Sequence, residues 1–250
     1  MQGIGKDFSP AILSLATNLI HQPDELVGVS IQDLVGVPHL NAMIGVSQRV
    51  TIVSEYNERR DALDQRWSEF LAQSGLIPIL IPNHPPTAQL VLDRIPLDGF
   101  LLTGGNNLVD LGGDAPERDS TEQLLLDHAL TTGKPVIGVC RGMQFLQNHF
   151  GVKLEKVSGH VTPSHKIVGE SFERIVNSFH QLGTRMTHQD LVVSARAEDG
   201  TVEAIEHIHL LLQGIMWHPE RSTPFDEWDL DLFRKFFRPQ GTSNSSRNHR

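Results

Sequence analysis

The chain has a single cysteine, Cys140, among its 250 residues. One cysteine excludes an internal disulfide, and no secretory leader opens the sequence, so we expect a cytoplasmic protein. Apolar runs are short, and none approaches the roughly 20 residues of a membrane-spanning helix. Basic residues are also few, with 21 Lys and Arg against 30 Asp and Glu and a formal charge of −9. No basic run with interleaved aromatics precedes the last few residues, so nucleic acid is not an expected partner.

Cys140 lies between Gly138 and Gly142, after the apolar run 135–137 and before a helix-like stretch that ends at Gly151. This pattern is typical of a strand that turns sharply into a helix and holds a nucleophile at the strained corner, where small neighbours avoid clashes. The first N–H groups of the helix would favour thiolate over thiol. The alternative is a small buried hydrophobic residue, which is common for a free cysteine.

A histidine that could handle protons for this thiol lies far downstream, in Trp217-His218-Pro219-Glu220. Residues two apart in an extended segment project from the same face, so the Glu220 carboxylate could orient the His218 imidazole. The chain has thirteen histidines. A surface histidine beside a surface acid is therefore an alternative interpretation.

Gly104 and Gly105 follow a buried-strand pattern at 98–103. Glycine pairs let backbone N–H groups approach a ligand closely. We expect the N–H of Gly105, together with that of Arg141 just after the cysteine, to form an oxyanion hole for a tetrahedral intermediate. Gly104 would then border the bound substrate. An ordinary flexible turn is the alternative.

Together these motifs resemble the class I glutamine amidotransferase fold, in its free-standing γ-glutamyl hydrolase branch of the peptidase C26 type. The resemblance covers about residues 44–237 and rests on Gly-x-Cys-x-Gly-x-Gln, the Gly-Gly after a strand, Val-Asn-Ser-Phe-His at 176–180 and the terminal Trp-His-Pro-Glu. Arg-Asp-Ser-Thr-Glu at 118–122 is similar to a segment of enzymes that cleave γ-glutamyl-γ-aminobutyrate. A closer resemblance, to the γ-glutamyl-CDP-amidate hydrolases of phosphoramidate capsule synthesis, rests on segments 45–49, 56–60 and 214–218.

The resemblance implies a reaction. The Cys140 thiolate attacks the δ-carbonyl of a γ-linked glutamyl group on a small molecule, His218 protonates the leaving amine, and water resolves the thioester to free glutamate. It implies no metal and no organic cofactor. It also implies that the glutamyl α-amino and α-carboxylate groups are held by Gln144 and by the backbone around Ser178 and Phe179, in a substrate-binding stretch that includes Asn177 and is flanked by His180.

Three of the residues near this site have competing interpretations. Gln144 could simply stabilise the helix, and His180 ranks second to His218 as a base. Arg49, near a strand end, is expected to contact the substrate, where its guanidinium could grip a diphosphate. Arg59 and Arg60 are instead expected on a solvated helix face, since Glu58 and Asp61 balance them.

Alternation along the chain predicts an α/β fold, a mostly parallel sheet flanked by helices in the flavodoxin-like arrangement, with a small additional antiparallel sheet. The expected early elements are strands at 43–46, 77–81 and 100–102, and helices at 58–73, 87–94 and 118–130. After Gly151 the pattern predicts strands at 174–177, 191–195, 202–205 and 211–217 and a closing helix at 227–237. We therefore divide the chain into an N-terminal extension (1–42), the hydrolase domain (43–238) and a disordered tail (239–250).

The extension has three interpretations. Residues 11–20 could form a short amphipathic helix, Met43 could be the true initiator, or residues 31–37 could be a remnant of an upstream domain. The sequence leaves all three open.

The histidine pairs His160/His165 and His207/His209 suggest zinc, but the second pair alternates along a strand, and the sequence shows no cysteine or acidic cluster that would complete a ligand set. No metal is therefore expected. Besides the hydrolase, two functions stay open: a glutaminase subunit that passes ammonia to a synthetase partner, and a non-catalytic binding protein. A homodimer is also left open.

Overall fold

The computed structural model describes residues 42–237. The predicted tail lies outside this range, as does the predicted N-terminal extension apart from Ala42. None of the described helices is both long enough and apolar enough to cross a membrane.

A nine-stranded sheet forms the centre of the described region. Its strands are β1 (Met43–Val46), β4 (Ile77–Leu80), β5 (Gly99–Leu102), β6 (Val136–Val139), β8 (Val161–Gly169), β9 (Glu173–Phe179), β11 (Leu191–Ala197), β12 (Val202–His207) and β13 (Leu212–Ile215). The order is β4-β1-β5-β6-β13-β12-β11-β8-β9. Pairing is parallel from β4 to β13 and antiparallel from β13 to β9.

Two small antiparallel pairs stand apart from this sheet, β2 (Arg49–Val53) with β3 (Glu58–Ala62), and β7 (Glu155–Lys156) with β10 (Leu182–Gly183). The predicted α/β fold is confirmed. Most of the antiparallel strands expected after Gly151 continue the main sheet, however, because β12 pairs directly with β13.

Within residues 42–237, five helices flank the sheet: α1 (Arg66–Gln73), α2 (Pro85–Arg94), α3 (Pro116–Thr132), α4 (Arg141–His149) and α5 (Glu227–Phe236). Side chains of successive strand residues enter opposite cores. In β5, Leu101 packs with the apolar faces of α1 and α5, whereas Phe100 and Leu102 pack with α2, α3 and α4. Both faces of β5 are thus covered, which explains why this central parallel strand is apolar throughout.

The helix predicted at 58–73 is wrong in its first part. Residues 58–62 form β3, which pairs with β2 through a turn in which Asn57 has φ 52°. Helical periodicity is real only from Arg66, where Trp67, Phe70 and Leu71 are buried. Arg59 therefore projects from a hairpin, and its Nε donates to Glu117 at 2.7 Å.

The parallel strands bring the predicted site together. Ser47, Thr103, Cys140 and Trp217-His218 follow the carboxyl ends of β1, β5, β6 and β13, which are neighbours in the sheet. In sheets of this kind, ligands bind at that edge.

Candidate active site

Cys140 occupies a strained corner between β6 and α4. Its backbone has φ 52° and ψ −103°, a conformation that residues other than glycine rarely adopt. The flanking glycines are required by space: a Cβ at Gly138 would lie 2.5 Å from the backbone of Gly142, and a Cβ at Gly142 would overlap the Leu102 carbonyl. The corner geometry predicted from the sequence is therefore present.

His218 and Glu220 form a buried pair beside this thiol. The His218 Nδ1–H donates to Glu220 Oε1 over 2.7 Å, which leaves Nε2 for Cys140. Burial alone would lower the pKa of His218, but hydrogen bonding and charge interactions with Cys140 and Glu220 outweigh it and raise the pKa to about 9. At neutral pH the imidazole is thus charged and can donate a proton.

The backbone around His218 is held by a side chain that the sequence suggested for substrate binding. The Asn177 amide donates to the His218 carbonyl and accepts from its N–H, both over 2.8 Å. Arg66 fixes the next residues by donating to the carbonyls of Glu220 and Ser222. Asn177 is therefore a positioning residue for the histidine.

The glycine loop after β5 is held from behind by Arg118. This guanidinium is fully buried and donates to the carbonyls of Thr103, Gly104 and Gly105. A trans peptide places its C=O and N–H on opposite sides, so the N–H of Gly105 points away from Arg118. Neither this N–H nor that of Arg141 donates to another described residue. Both donors remain available for a ligand, as an oxyanion hole requires.

Arg118 belongs to a buried charge network that joins this loop to the elbow helix. Glu122 accepts from Arg118 Nε at 2.9 Å, from Ser47 Oγ at 2.8 Å and from the Arg141 guanidinium, which also contacts Asp119. Burial would raise the pKa of Glu122, but the charges of Arg141 and Arg118 outweigh it and lower the pKa. The Arg141 side chain thus points into the protein interior, while its N–H stays at the elbow.

A narrow crevice leads to the pair. Its lining includes Arg49, Gly104, Gly105, His218, Glu220 and Arg221. Arg49 packs on Gly105. Phe179 lies at the same edge, with its ring centroid 5.9 Å from that of His218 and the Arg221 guanidinium 4.7 Å from its centre.

The other predicted substrate-binding side chains make contacts within the protein. Gln144 Nε2 donates to the Leu182 carbonyl at 3.0 Å, and His180 Nδ1 lies 3.0 Å from the same oxygen. Ser178 Oγ donates to the His160 carbonyl at 2.7 Å. None of these three residues is among those that line the crevice described above.

Sequence reasoning missed several residues that shape the site. The i,i+4 spacing of Arg118 and Glu122 on one helix was a readable signal, because such pairs lie on one face. Glu203 was missed as well: it lies within 3.5 Å of a nitrogen of His160, His165 and His180. The acidic neighbour that seemed absent for His160 and His165 therefore exists. His207 and His209 do not alternate along one strand, since β12 ends at His207.

The chain is similar to several known proteins. The model of the Peptidase C26 family matches residues 42–170 and 160–220. A γ-glutamyl-CDP-amidate hydrolase of Campylobacter jejuni is 26% identical over 201 residues, covering 78% of this chain and 96% of that protein. A γ-glutamyl-γ-aminobutyrate hydrolase of Escherichia coli is 28% identical over 198 residues, covering 63% of this chain and 78% of that protein.

Among solved structures, a glutamine amidotransferase from Thermotoga maritima matches with a TM-score of 0.59 and 14% identity. The match covers 79% of this chain and 84% of that one. At this identity the match shows a shared fold. It confirms the glutamine amidotransferase-like architecture predicted from the sequence.

Proposed function

The chain belongs to the Peptidase C26 family, and on that premise we propose that it hydrolyses a γ-glutamyl amide bond, with Cys140, His218 and Glu220 as its catalytic triad. The observation that carries the proposal is the buried 2.7 Å pair of His218 and Glu220, beside a cysteine in a strained strand-to-helix corner. A merely structural cysteine would need neither the strain nor the charged imidazole.

The reaction follows from the positions of these groups. Cys140 Sγ, as the thiolate, forms a bond to the δ-carbonyl carbon, and the resulting oxyanion accepts from the N–H groups of Gly105 and Arg141. His218 Nε2 then gives its proton to the leaving nitrogen as the C–N bond breaks. A water molecule loses a proton to His218 and attacks the thioester, which releases glutamate and restores the thiolate.

Glu220 orients the imidazole and stabilises its positive charge throughout. It does not itself attack or become protonated. Asn177 and Arg66 hold the segment that carries both residues, so the geometry does not depend on the pair alone.

The residues that border the crevice support one class of leaving group. Two guanidinium groups, Arg49 and Arg221, border it, and paired guanidinium donors suit phosphate oxygens. This favours a substrate with a phosphate-bearing leaving group, such as γ-glutamyl-CDP-amidate, the substrate in the name of the Campylobacter relative. A γ-glutamyl amine such as γ-glutamyl-γ-aminobutyrate would use only the glutamyl part of the site.

The test compares glutamate release by the purified protein from γ-glutamyl-CDP-amidate, γ-glutamyl-γ-aminobutyrate and glutamine. We expect turnover of a γ-glutamyl amide without any partner, a γ-glutamyl adduct on the single cysteine in quenched samples, and no turnover by Cys140→Ala. Glutamine hydrolysis that begins only when a synthetase is added would replace the hydrolase with a glutaminase subunit.

A second comparison tests the leaving group. Arg49→Ala should raise KM for γ-glutamyl-CDP-amidate by about 10-fold or more, the value of one charge-assisted hydrogen bond, and leave KM for γ-glutamyl-γ-aminobutyrate nearly unchanged. Arg60→Ala, on the other strand of the same hairpin and paired with Glu58, is the matched control. Equal losses on both substrates would contradict a phosphate contact.

A further inference from the structure

Three histidines converge on one carboxylate oxygen outside the active-site crevice. His160 Nδ1, His180 Nε2 and His165 Nε2 lie 3.1, 3.3 and 3.4 Å from Glu203 Oε1. The side chains of His160, His180 and Glu203 are at most 3% exposed, and that of His165 is 12% exposed. One atom each from His160, His180 and Glu203 lies within 4.8 Å of the others.

None of these atoms is satisfied. The three nitrogens and both oxygens of Glu203 lack a hydrogen-bond partner within residues 42–237, because the short N–O distances do not have hydrogen-bond angles. Buried polar groups without partners are rare in folded proteins, and an unseen ion is one of the standard reasons for them. Five such atoms in one place indicate a shared missing partner.

In two of the imidazoles, the ring nitrogen that faces away from Glu203 lies next to an oxygen acceptor, as in most metal-bound histidines. His180 Nδ1 lies 3.0 Å from the Leu182 carbonyl, which can only accept, so Nδ1 carries a proton and Nε2 is the nitrogen that faces Glu203. His160 Nε2 lies 3.5 Å from Asp199 Oδ2. A metal-bound histidine almost always donates its other N–H to a carbonyl or carboxylate in this manner.

A cation held between these nitrogens and the carboxylate would satisfy all of them. We propose that His160, His180 and Glu203 bind one zinc ion, with His165 beside it. Zinc–nitrogen bonds of about 2.0–2.1 Å in a tetrahedron place the ligand atoms about 3.3 Å apart, which matches the 3.1 and 3.3 Å distances of the His160 and His180 nitrogens from Glu203 Oε1. Imidazole and carboxylate ligands suit zinc among the common divalent ions.

The cluster has both a cavity through which an ion could enter and outer groups that orient its side chains. A cavity of about 190 Å³ opens beside the cluster and is lined by His160, His165 and Asp199 among others. Asp199 is itself fixed by the N–H and hydroxyl of Thr201, at 2.9 and 3.0 Å, and by Arg185 at 2.9 Å. The ligand set therefore has the entry path and oriented outer groups expected of a metal site.

The ion would join parts of the fold that are not neighbours in the sheet. His160 immediately precedes β8, His180 follows β9, and Glu203 lies in β12, which β11 separates from β8. All three ligands are buried and lie outside the active-site crevice, so the expected role of the ion is structural. It would fix segment 177–180, which includes the Asn177 clamp on His218.

The test is metal binding, which does not depend on turnover. Tag-free protein is purified in the Cys140→Ser background, which removes the only thiol, and its metal content is measured by mass spectrometry. We expect about one zinc per chain, loss of zinc to a strong chelator with a lower unfolding temperature, and recovery of both on adding zinc but not magnesium. Cobalt in place of zinc should give the absorption of a tetrahedral site without thiolate.

Variants connect the binding to these residues. Glu203→Gln, nearly the same shape, should weaken zinc binding by about 100-fold or more, and Asp199→Asn, a partly exposed change with little risk to folding, by about 10- to 100-fold. His209→Ala is the matched control that removes an exposed histidine and should bind as the parent does. Circular dichroism confirms that each variant is folded.

Two results would overturn the proposal. One is metal-free protein whose unfolding temperature and calorimetric trace do not respond to added zinc. The other is zinc binding of equal strength in Glu203→Gln and Asp199→Asn. In both cases the cluster would be a protonated histidine network around Glu203, and the proposed hydrolase reaction would stand or fall on its own assays.

Discussion

Glu220→Gln should lower kcat and should also lower the pH at which activity declines on the alkaline side. The rise in the His218 pKa from 6.5 to about 9 corresponds to about 3 kcal/mol in favour of the charged imidazole. Burial opposes this rise, and Cys140 and Glu220 together overcome it. A hydrogen bond to a charged group contributes about 1.5–3 kcal/mol. The loss of the carboxylate should therefore lower the apparent pKa of the alkaline decline in activity by about one to two units, and kcat by about 10- to 150-fold.

The sign follows from the role of the proton. His218 must be protonated to release the leaving amine, so activity falls as pH rises through the His218 pKa, near 9 in the parent protein. The same raised pKa stabilises the folded state fully below about pH 6.5, and this contribution is lost as pH rises through about 9.

The assay is the pH profile of kcat/KM on a chromogenic γ-glutamyl anilide, together with the imidazole titration of His218 by NMR. Glu206→Gln, which removes an exposed acid on β12, is the matched control and should leave the profile unchanged. A lower kcat with an unmoved alkaline limb would refute the electrostatic argument and leave Glu220 a purely geometric role. A loss equal to that of Cys140→Ala would contradict the division between attacking and orienting groups.

Three further changes test the supports of the site. Gly142→Ala should cost about 3 kcal/mol or more in urea unfolding, because its Cβ would overlap the Leu102 backbone carbonyl; a cost below about 1 kcal/mol would contradict the packing. Asn177→Ala should lower kcat far more than it raises KM, because it frees the His218 backbone without touching substrate; a change confined to KM would instead indicate a substrate contact. Glu122→Gln should destabilise the fold by about 3–5 kcal/mol in chemical unfolding, because it leaves two buried guanidinium groups poorly compensated. An unchanged midpoint would show that solvent reaches the network.

Much of the scaffold was predictable because its signals are local. The elbow at Cys140 requires glycine at positions 138 and 142, because neither position has room for a side chain. The parallel strands show up as short apolar runs because both of their faces are buried. The position of His218 opposite Cys140 then follows from the carboxyl ends of two adjacent strands, β6 and β13.

Local patterns fall short where long-range pairing decides. Segment 58–62 was predicted as the start of a helix from apolar periodicity further along, but pairing with β2 makes it a strand. Asn177 was predicted in a substrate-binding segment, and the structure shows in addition that its amide holds the backbone of a histidine 41 residues downstream. No local pattern reveals such a partner.

The cluster of histidines around Glu203 and the proposed triad are connected by backbone contacts, which gives the two proposals a common physical basis. The Glu203 carbonyl accepts from the Met216 N–H at 2.8 Å, two residues before His218, while His180 lies three residues after the Asn177 clamp. The two segments that hold the His218 backbone are thus each connected to a residue of the same buried cluster. A charge-unbalanced cluster at that point would weaken the positioning of His218, whereas a bound cation would hold its two supports at a fixed spacing. The position of the cluster therefore makes a stabilising ion useful to catalysis without any contact between that ion and the substrate.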